Sequence, residues 1–93
     1  MASSVRAHVW IRGKVQGVAF RWETRRVAQA HGVCGWVRNL RDGRVEGVFE
    51  GDREDVESVL NWCRQGPPIA RVEDLSIEWE AVTGEHNGFS ITG

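Results

Sequence analysis

The sequence has few cysteines, and this excludes two classes of site. Two cysteines in 93 residues, Cys34 and Cys63, cannot form a disulfide scaffold. They are also too few for a structural zinc site without several histidines, and His8, His31 and His86 show no ligand spacing. In a reducing compartment both thiols stay free. We therefore expect neither a metal nor a cofactor.

Long apolar runs and a large net charge are also missing. No segment is long and apolar enough to cross a membrane, and residues 1–4 carry no apolar signal-peptide core. We therefore expect a cytoplasmic protein without a membrane partner. The net charge is only −1, so no overall basic field attracts nucleic acid. All but one of the twelve cations are arginines, whose planar fork suits phosphate and carboxylate groups, although a genomic preference for arginine is the simpler explanation.

Residues 1–93 are too few for more than one domain. Alternation and turn signals predict strands at residues 5–12, 34–40, 44–50, 71–80 and 89–91. Helical spacing predicts one helix that ends at Gly32 and a second that begins after Asp52. Val72 is out of phase with the alternation after it, which predicts a bulge near Glu73. The order predicts an α+β fold, a ferredoxin-like βαββαβ sandwich with two helices on one face of an antiparallel four- to five-stranded sheet.

The turn between the first strand and the first helix, residues 13–21, reads Gly-Lys-Val-Gln-Gly-Val-Ala-Phe-Arg. Its glycines allow backbone to approach a ligand closely, and a helix N-terminus offers unpaired N–H groups to an anion. Arg21 is disfavoured at a helix start by about 0.3–1 kcal/mol, a cost that a bound anion would reverse. The turn therefore predicts a small phosphate or carboxylate site, and the alternative is a turn whose glycines only satisfy local geometry.

Asn39 is the second candidate, because asparagine is unusual so close to a strand interior. It can hold a water through its carboxamide, or it can simply help to form the turn at Asp42-Gly43. No nucleophile or general base accompanies these groups, since no Ser-His-Asp or Cys-His arrangement is visible. Any catalysis must then depend on positioning and charge stabilisation.

The motifs at residues 13–21, 35–39, 42–46, 66–67 and 70–72 closely resemble the acylphosphatase family, in order and with matching spacing. The resemblance implies hydrolysis of a carboxyl–phosphate anhydride to a carboxylate and inorganic phosphate, without a metal. It also implies that Arg21 binds the phosphoryl oxygens and that Asn39 orients the attacking water. The backbone N–H groups that would complete the phosphate site belong to Val15, Gln16, Gly17, Val18, Ala19 and Phe20.

Within the resemblance, Ala19 occupies a variable position where a small residue leaves the loop intact, and we expect Trp22 to pack against that loop. Two other hypotheses remain. The first is a binding module, either a small-anion sensor or an RNA binder that uses Trp10 and Trp36 on the open sheet face. The second is a domain of a larger carbamoyl-phosphate-handling protein. We expect a monomeric, stand-alone enzyme for an acyl phosphate, with no nucleic-acid partner.

Overall fold

A computed structural model of the chain describes residues 3–93. The expected absence of a signal-peptide core falls partly on residues 1 and 2, which lie outside the described range. The elements, in chain order, are β1 (Ser4–Lys14), α1 (Phe20–Ala30), β2 (Cys34–Asn39), β3 (Val45–Asp52), α2 (Arg53–Gln65), β4 (Arg71–Glu80) and β5 (Phe89–Ile91). Neither α1 nor α2 is long and apolar enough to span a membrane.

The five strands form one sheet in the order β4-β1-β3-β2-β5. The first four are antiparallel neighbours, and β5 runs parallel to β2, so the sheet is mixed. Glu80, Arg6, Glu50 and Cys34 lie in one cross-strand row, which places the end of β4 at the same side as the start of β2. β5 enters the sheet from that side and therefore runs parallel to β2. The predicted ferredoxin-like α+β fold is confirmed, but the prediction of an antiparallel sheet is wrong for β5.

Both helices pack against one face of the sheet. The alternation in β1 buries Ala7, Val9 and Ile11 completely, as its period-two pattern predicted. The helices contribute their own buried stripes to the same core, namely Phe20, Thr24 and Ala28 from α1, and Val56, Val59, Leu60 and Cys63 from α2. A single core therefore fixes both helix axes over the sheet, including the N-terminus of α1.

The predicted bulge lies beside the end of β1. Arg12 pairs with Asp74 and Gly13 pairs with Val72, which leaves Glu73 as the extra residue. Gly13 has a φ of 135°, and a Cβ atom at this position would overlap the carbonyl oxygen of Arg71. Only glycine allows β1 and β4 to come this close, so Gly13 lets the last two residues of β1 pair with β4 beyond the bulge.

A network of charged side chains covers much of the other sheet face. Arg6 donates to Glu50 at 3.1 Å and to Glu80 at 2.9 Å. The ring nitrogens of His8 lie 2.7 Å from Glu46 and 2.9 Å from Glu80. Residues 81–88, which we call the strap, cross this end of the sheet from β4 to β5. The backbone N–H groups of Thr83 and Gly84 in the strap donate to the Glu50 carboxylate, which fixes the strap to the sheet.

Candidate active site

The turn after β1 and the last residue of β2 lie at the same end of the sheet, where both strands finish. Val45 in β3 pairs with Ile11 of β1 on one side and with Asn39 of β2 on the other. β1 and β2 therefore run in the same direction with β3 between them, and Asn39 stands about 10 Å from Ile11, two strand spacings away. Sequence reasoning could not establish this arrangement, because it depends on a strand inserted between the two.

Gln16 connects the turn to the β2–β3 loop. Its side-chain amide donates hydrogen bonds to the carbonyl oxygens of Leu40, at 2.7 Å, and Arg44, at 3.0 Å. Leu40 directly follows Asn39, so these contacts hold the turn beside the asparagine. The resemblance implied only a backbone N–H for Gln16, and the contacts of its side chain were not predicted. An uncharged polar residue in a glycine turn was the only available signal.

The turn exposes a series of backbone donors. The N–H groups of residues 16–22 donate no hydrogen bond to any other part of the chain that the structure describes, and the helical pattern begins with Glu23, which donates to the Ala19 oxygen at 3.0 Å. Val15, Val18 and Phe20 point into the core and anchor the backbone between them. Unpaired N–H groups of this kind, at a helix N-terminus, form a site for an anion.

The turn contains two residues with left-handed backbone. Gly17 has a φ of 72°, and a Cβ atom built there would meet nothing within 4 Å, so this side of the turn faces open space. Ala19, the N-cap of α1, has a φ of 63°. It is the one described residue other than glycine with a positive φ. This conformation costs an alanine about 1–2 kcal/mol, a strain of the kind that concentrates at ligand-binding sites.

Phe20 anchors the start of α1 to the hydrophobic core. Its ring is 1% exposed and lies 5.5 Å, centroid to centroid, from the indole of Trp62 on α2. On its other side it contacts the loop after α2, where a Cβ atom on Gly66 would stand 2.7 Å from the ring. The rigid packing of Phe20 therefore fixes the residue that follows it, Arg21, at the second position of the helix.

Arg21 is a half-buried cation without a counter-ion. It forms no hydrogen bond and no ion pair with any residue in the range 3–93. On the same helix, Arg26 donates to the Glu23 carboxylate at 2.7 Å. Arg21 therefore keeps its full hydrogen-bonding capacity. Its position is energetically poor, because the helix dipole disfavours a cation at the helix start.

Asn39 has a matching property. Its side-chain oxygen, Oδ1, is buried and accepts no hydrogen bond from the described residues. An unsatisfied buried acceptor costs about 1–3 kcal/mol, so this atom is suited to accept a hydrogen bond from a small hydroxylic molecule. Asn39 is the last residue of β2 and pairs with Val45, so it lies at the end of the sheet where the turn is found.

Trp22 differs from its prediction. We expected it to pack against the loop, but it is 61% exposed, and the guanidinium of Arg25 lies 4.7 Å from the centroid of its ring. The outward position follows from helical geometry, because Trp22 stands almost opposite the stripe formed by Phe20 and Thr24. Trp22 therefore contributes an aromatic surface beside the turn.

No other reactive centre accompanies these groups. Across residues 3–93 no three or more His, Cys, Asp and Glu side chains are grouped so that they could hold a metal ion. Cys34 and Cys63 are both free. Burial raises the pKa of the Cys63 thiol to about 12. Cys63 is therefore a protonated core residue with no nucleophilic function.

Comparison with known proteins identifies the family. Residues 7–91 match the sequence profile of the acylphosphatase family. An acylphosphatase of Pelotomaculum thermopropionicum is 61% identical over 89 residues, which are 96% of this chain and 97% of that protein. An acylphosphatase of Roseiflexus sp. is 56% identical over 91 residues, 98% of each chain. The crystal structure of the acylphosphatase from Bacillus subtilis aligns with a TM-score of 0.92 and 32% identity, covering 96% of this chain and 99% of that one.

The fold and these relatives define a small α+β hydrolase. The chain belongs to the acylphosphatase family. It is an enzyme that hydrolyses acyl phosphates, which confirms the activity that the resemblance of its motifs implied.

Proposed function

We propose that the enzyme binds the phosphoryl group of an acyl phosphate at the turn and that Asn39 orients the water that attacks it. The phosphoryl oxygens accept hydrogen bonds from the Arg21 guanidinium and from the backbone N–H groups of Val15, Gln16, Gly17, Val18, Ala19 and Phe20. One observation supports this above all. Two segments meet at one end of the sheet. One carries a free arginine and a series of free N–H groups, and the other carries a buried, unpaired carboxamide oxygen.

The phosphate site depends on donors that are held in place before the substrate arrives. The helix N-terminus and the turn supply N–H groups, which stabilise the charge on the phosphoryl oxygens without reorganisation. The guanidinium of Arg21 adds a planar fork that can donate two parallel hydrogen bonds. Because both sets of donors also face the charge that builds up during phosphoryl transfer, they lower the barrier as well as bind the substrate.

Asn39 supplies the second half of the reaction. Its Oδ1 atom accepts a hydrogen bond from a water, which turns an oxygen lone pair of that water toward the phosphorus. A bond forms between the water oxygen and phosphorus while the bond from phosphorus to the carboxyl oxygen breaks on the opposite side. The carboxylate leaves as a weak base and needs no general acid. The water proton passes to a phosphoryl oxygen of the substrate, in keeping with the lack of a base beside Asn39.

The experiment that tests the proposal is the hydrolysis of benzoyl phosphate in the presence of a chelator. Arg21→Ala should lose about 10²–10³-fold in kcat/KM, the range for removing one charge-stabilising donor. Asn39→Ala should lose about 10²-fold, the cost of a misplaced reacting group. Arg21→Lys should also fail, since a point charge cannot reproduce the fork. Arg26→Ala is the matched control, because Arg26 is on the same helix but forms an ion pair with Glu23.

Inhibition by inorganic phosphate separates the two functions. Arg21→Ala should weaken phosphate inhibition strongly, whereas Asn39→Ala should leave it close to that of the wild type, since Asn39 contacts the water. A wild-type rate for Arg21→Ala, or equal loss of phosphate affinity in both variants, would contradict the assignment. Loss of activity with chelator in the wild type would contradict the metal-independent reaction.

The charge of the outer sheet face argues against nucleic acid as a partner. Trp10 there stacks on His8 with ring centroids 4.1 Å apart, and Arg38 lies over Trp36. The carboxylates of Glu46, Glu50, Glu78 and Glu80 share this face, as the cross-strand pairing shows. A phosphate backbone would be repelled by them. An absence of any shift of single-stranded RNA at low salt checks this.

We propose further that the enzyme works as a monomer in the cytoplasm. The free thiols of Cys34 and Cys63 suit a reducing compartment. The acidic side chains of the edge strand β4, Glu73, Asp74, Glu78 and Glu80, disfavour pairing with a second copy of the same strand. Light scattering during size-exclusion chromatography, and fractionation of the source cells, test the two statements.

A further inference from the structure

Two neighbouring arginines on α1 lack counter-ions. Arg21 and Arg25 are four residues apart, so their side chains lie on the same side of the helix, one turn from each other. Neither forms an ion pair in the part of the chain that the structure describes, whereas Arg26 pairs with Glu23 at 2.7 Å. Like charges at this spacing repel one another, and Arg21 also stands at the positive end of the helix dipole. A ligand with two separated negative groups would relieve both effects.

Trp22 completes this surface. The Arg25 guanidinium lies over the Trp22 ring at 4.7 Å from its centroid, which holds the arginine in one place. In projection along the helix, Arg25 stands about 40° from Arg21 and about 60° from Trp22, so it lies between them. Side chains of a helix lean toward its N-terminus, and those of Trp22 and Arg25 therefore cover the surface next to the turn.

We propose that Trp22 and Arg25 bind the acyl part of the substrate, and that Arg25 confers a preference for acyl groups that carry a second anionic group. This inference rests on the proposed phosphate site at Arg21. One helical turn separates Arg21 from Arg25, which is about 6 Å along the axis. The second anion would therefore lie a few bonds from the anhydride, with the connecting carbon atoms against the exposed indole of Trp22.

A rigid pair of substrates tests the inference. 3-Carboxybenzoyl phosphate and 3-methylbenzoyl phosphate have similar shape, differ by one negative charge and cannot cyclise. The wild type should prefer the carboxylated substrate in kcat/KM by about three- to fivefold, as expected for a solvent-accessible charge pair. Arg25→Gln should abolish this preference, mainly through KM, and a high salt concentration should do the same in the wild type. Arg26→Gln, the matched control, should keep it.

The possible outcomes distinguish a failure of the proposed phosphate site from a failure of the proposed acyl site. If the wild type hydrolyses neither substrate, the proposed phosphate site fails, and this inference fails with it. If both substrates are hydrolysed with equal kcat/KM, or if Arg25→Gln retains the preference of the wild type, only the inference about the acyl group is overturned. Circular dichroism of each variant checks that the fold is intact. Trp22→Ala should lower kcat/KM for both aromatic substrates, and an unchanged value would remove Trp22 from the acyl site.

Discussion

The side-chain amide of Gln16 donates a hydrogen bond to the carbonyl oxygen of Leu40 at 2.7 Å. These residues belong to different segments of the proposed site, since Gln16 lies in the turn and Leu40 directly follows Asn39. A second hydrogen bond from the same nitrogen reaches the Arg44 oxygen at 3.0 Å. One side chain therefore connects the turn proposed to bind the phosphoryl oxygens with the segment that carries Asn39, proposed to orient the water.

Gln16→Ala should lower kcat by about 10–100-fold, because a small displacement between reacting groups is costly in catalysis. It should lower the free energy of unfolding by only about 1–3 kcal/mol, the cost of leaving two partly buried carbonyl oxygens unpaired. Gln16→Glu should be worse in both respects, since a carboxylate would face the two oxygens. Gln29→Ala, at an exposed position of α1, is the control. Unchanged kcat in Gln16→Ala would show that the amide does not position the site.

Ala19→Gly should stabilise the protein by about 0.5 kcal/mol. The substitution removes the strain of a left-handed alanine, about 1–2 kcal/mol, and the added freedom of the unfolded chain cancels part of that gain. Ala19→Val should instead destabilise the fold strongly, because a β-branched side chain is poorly tolerated at positive φ. The midpoints of urea unfolding give both values. A clear loss of stability in Ala19→Gly would show that the Cβ of Ala19 makes a stabilising contact.

Local patterns predicted the elements because their physical causes are local. The alternation of Val5, Ala7, Val9 and Ile11 depends only on the period of a strand, and the structure buries the last three of these completely. The phase error at Val72 likewise indicated an extra residue near Glu73, and the register shift opposite Gly13 confirms it. The turn and Arg21 at its end were recognisable for the same reason.

Relationships across the sheet could not be predicted in this way. Gln16 and Leu40 are 24 residues apart, and Arg6 and Glu80 are 74 apart. Nothing in the neighbourhood of either residue specifies its partner, because the pairing follows from strand order and register. The parallel direction of β5 was not predicted either. It depends on the side of the sheet at which β4 ends, which no local pattern specifies.

Gly66→Ala should destabilise the protein and lower its activity. The new Cβ would stand 2.7 Å from the Phe20 ring, at a φ of 69° that alanine adopts with strain. We expect a loss of about 2–4 kcal/mol, the sum of overpacking and backbone strain, together with a displaced Arg21. Gly84→Ala is a matched control, because Gly84 has a φ of 67° with open space around it. Thermal unfolding of both variants measures the clash separately from the strain, and equal losses would exclude the clash.

The Glu50 carboxylate should make the fold sensitive to acid. Burial opposes its charged form, but hydrogen bonds from Gly84, Thr83 and Arg6 outweigh this and hold the pKa below its ordinary value of 4.5. The stabilisation is therefore complete above that value and is lost as the pH falls through the lower pKa of the folded state. Glu50→Gln should weaken the dependence of unfolding free energy on pH between about 5 and about 3.

Glu78→Gln is the control for this effect, since Glu78 lies on the same sheet face and forms no ion pair with any of residues 3–93. Unfolding followed by tryptophan fluorescence at a series of pH values compares the variants. At neutral pH, Glu50→Gln should be less stable than Glu78→Gln by about 1–3 kcal/mol, because the N–H groups of the strap lose a charged acceptor. Identical pH profiles for the two variants would contradict the assignment.

The strap also affects the order in which the chain becomes protected against aggregation. It delivers β5, only three residues long, to the open hydrogen-bonding side of β2. β5 is the last of the five described strands in chain order, so during synthesis it leaves the ribosome after the other four. Until then β2 is an unpaired edge that a second nascent chain can extend. β5 therefore covers the outer side of β2, and this side of the sheet stays open until the last strand in chain order has been made.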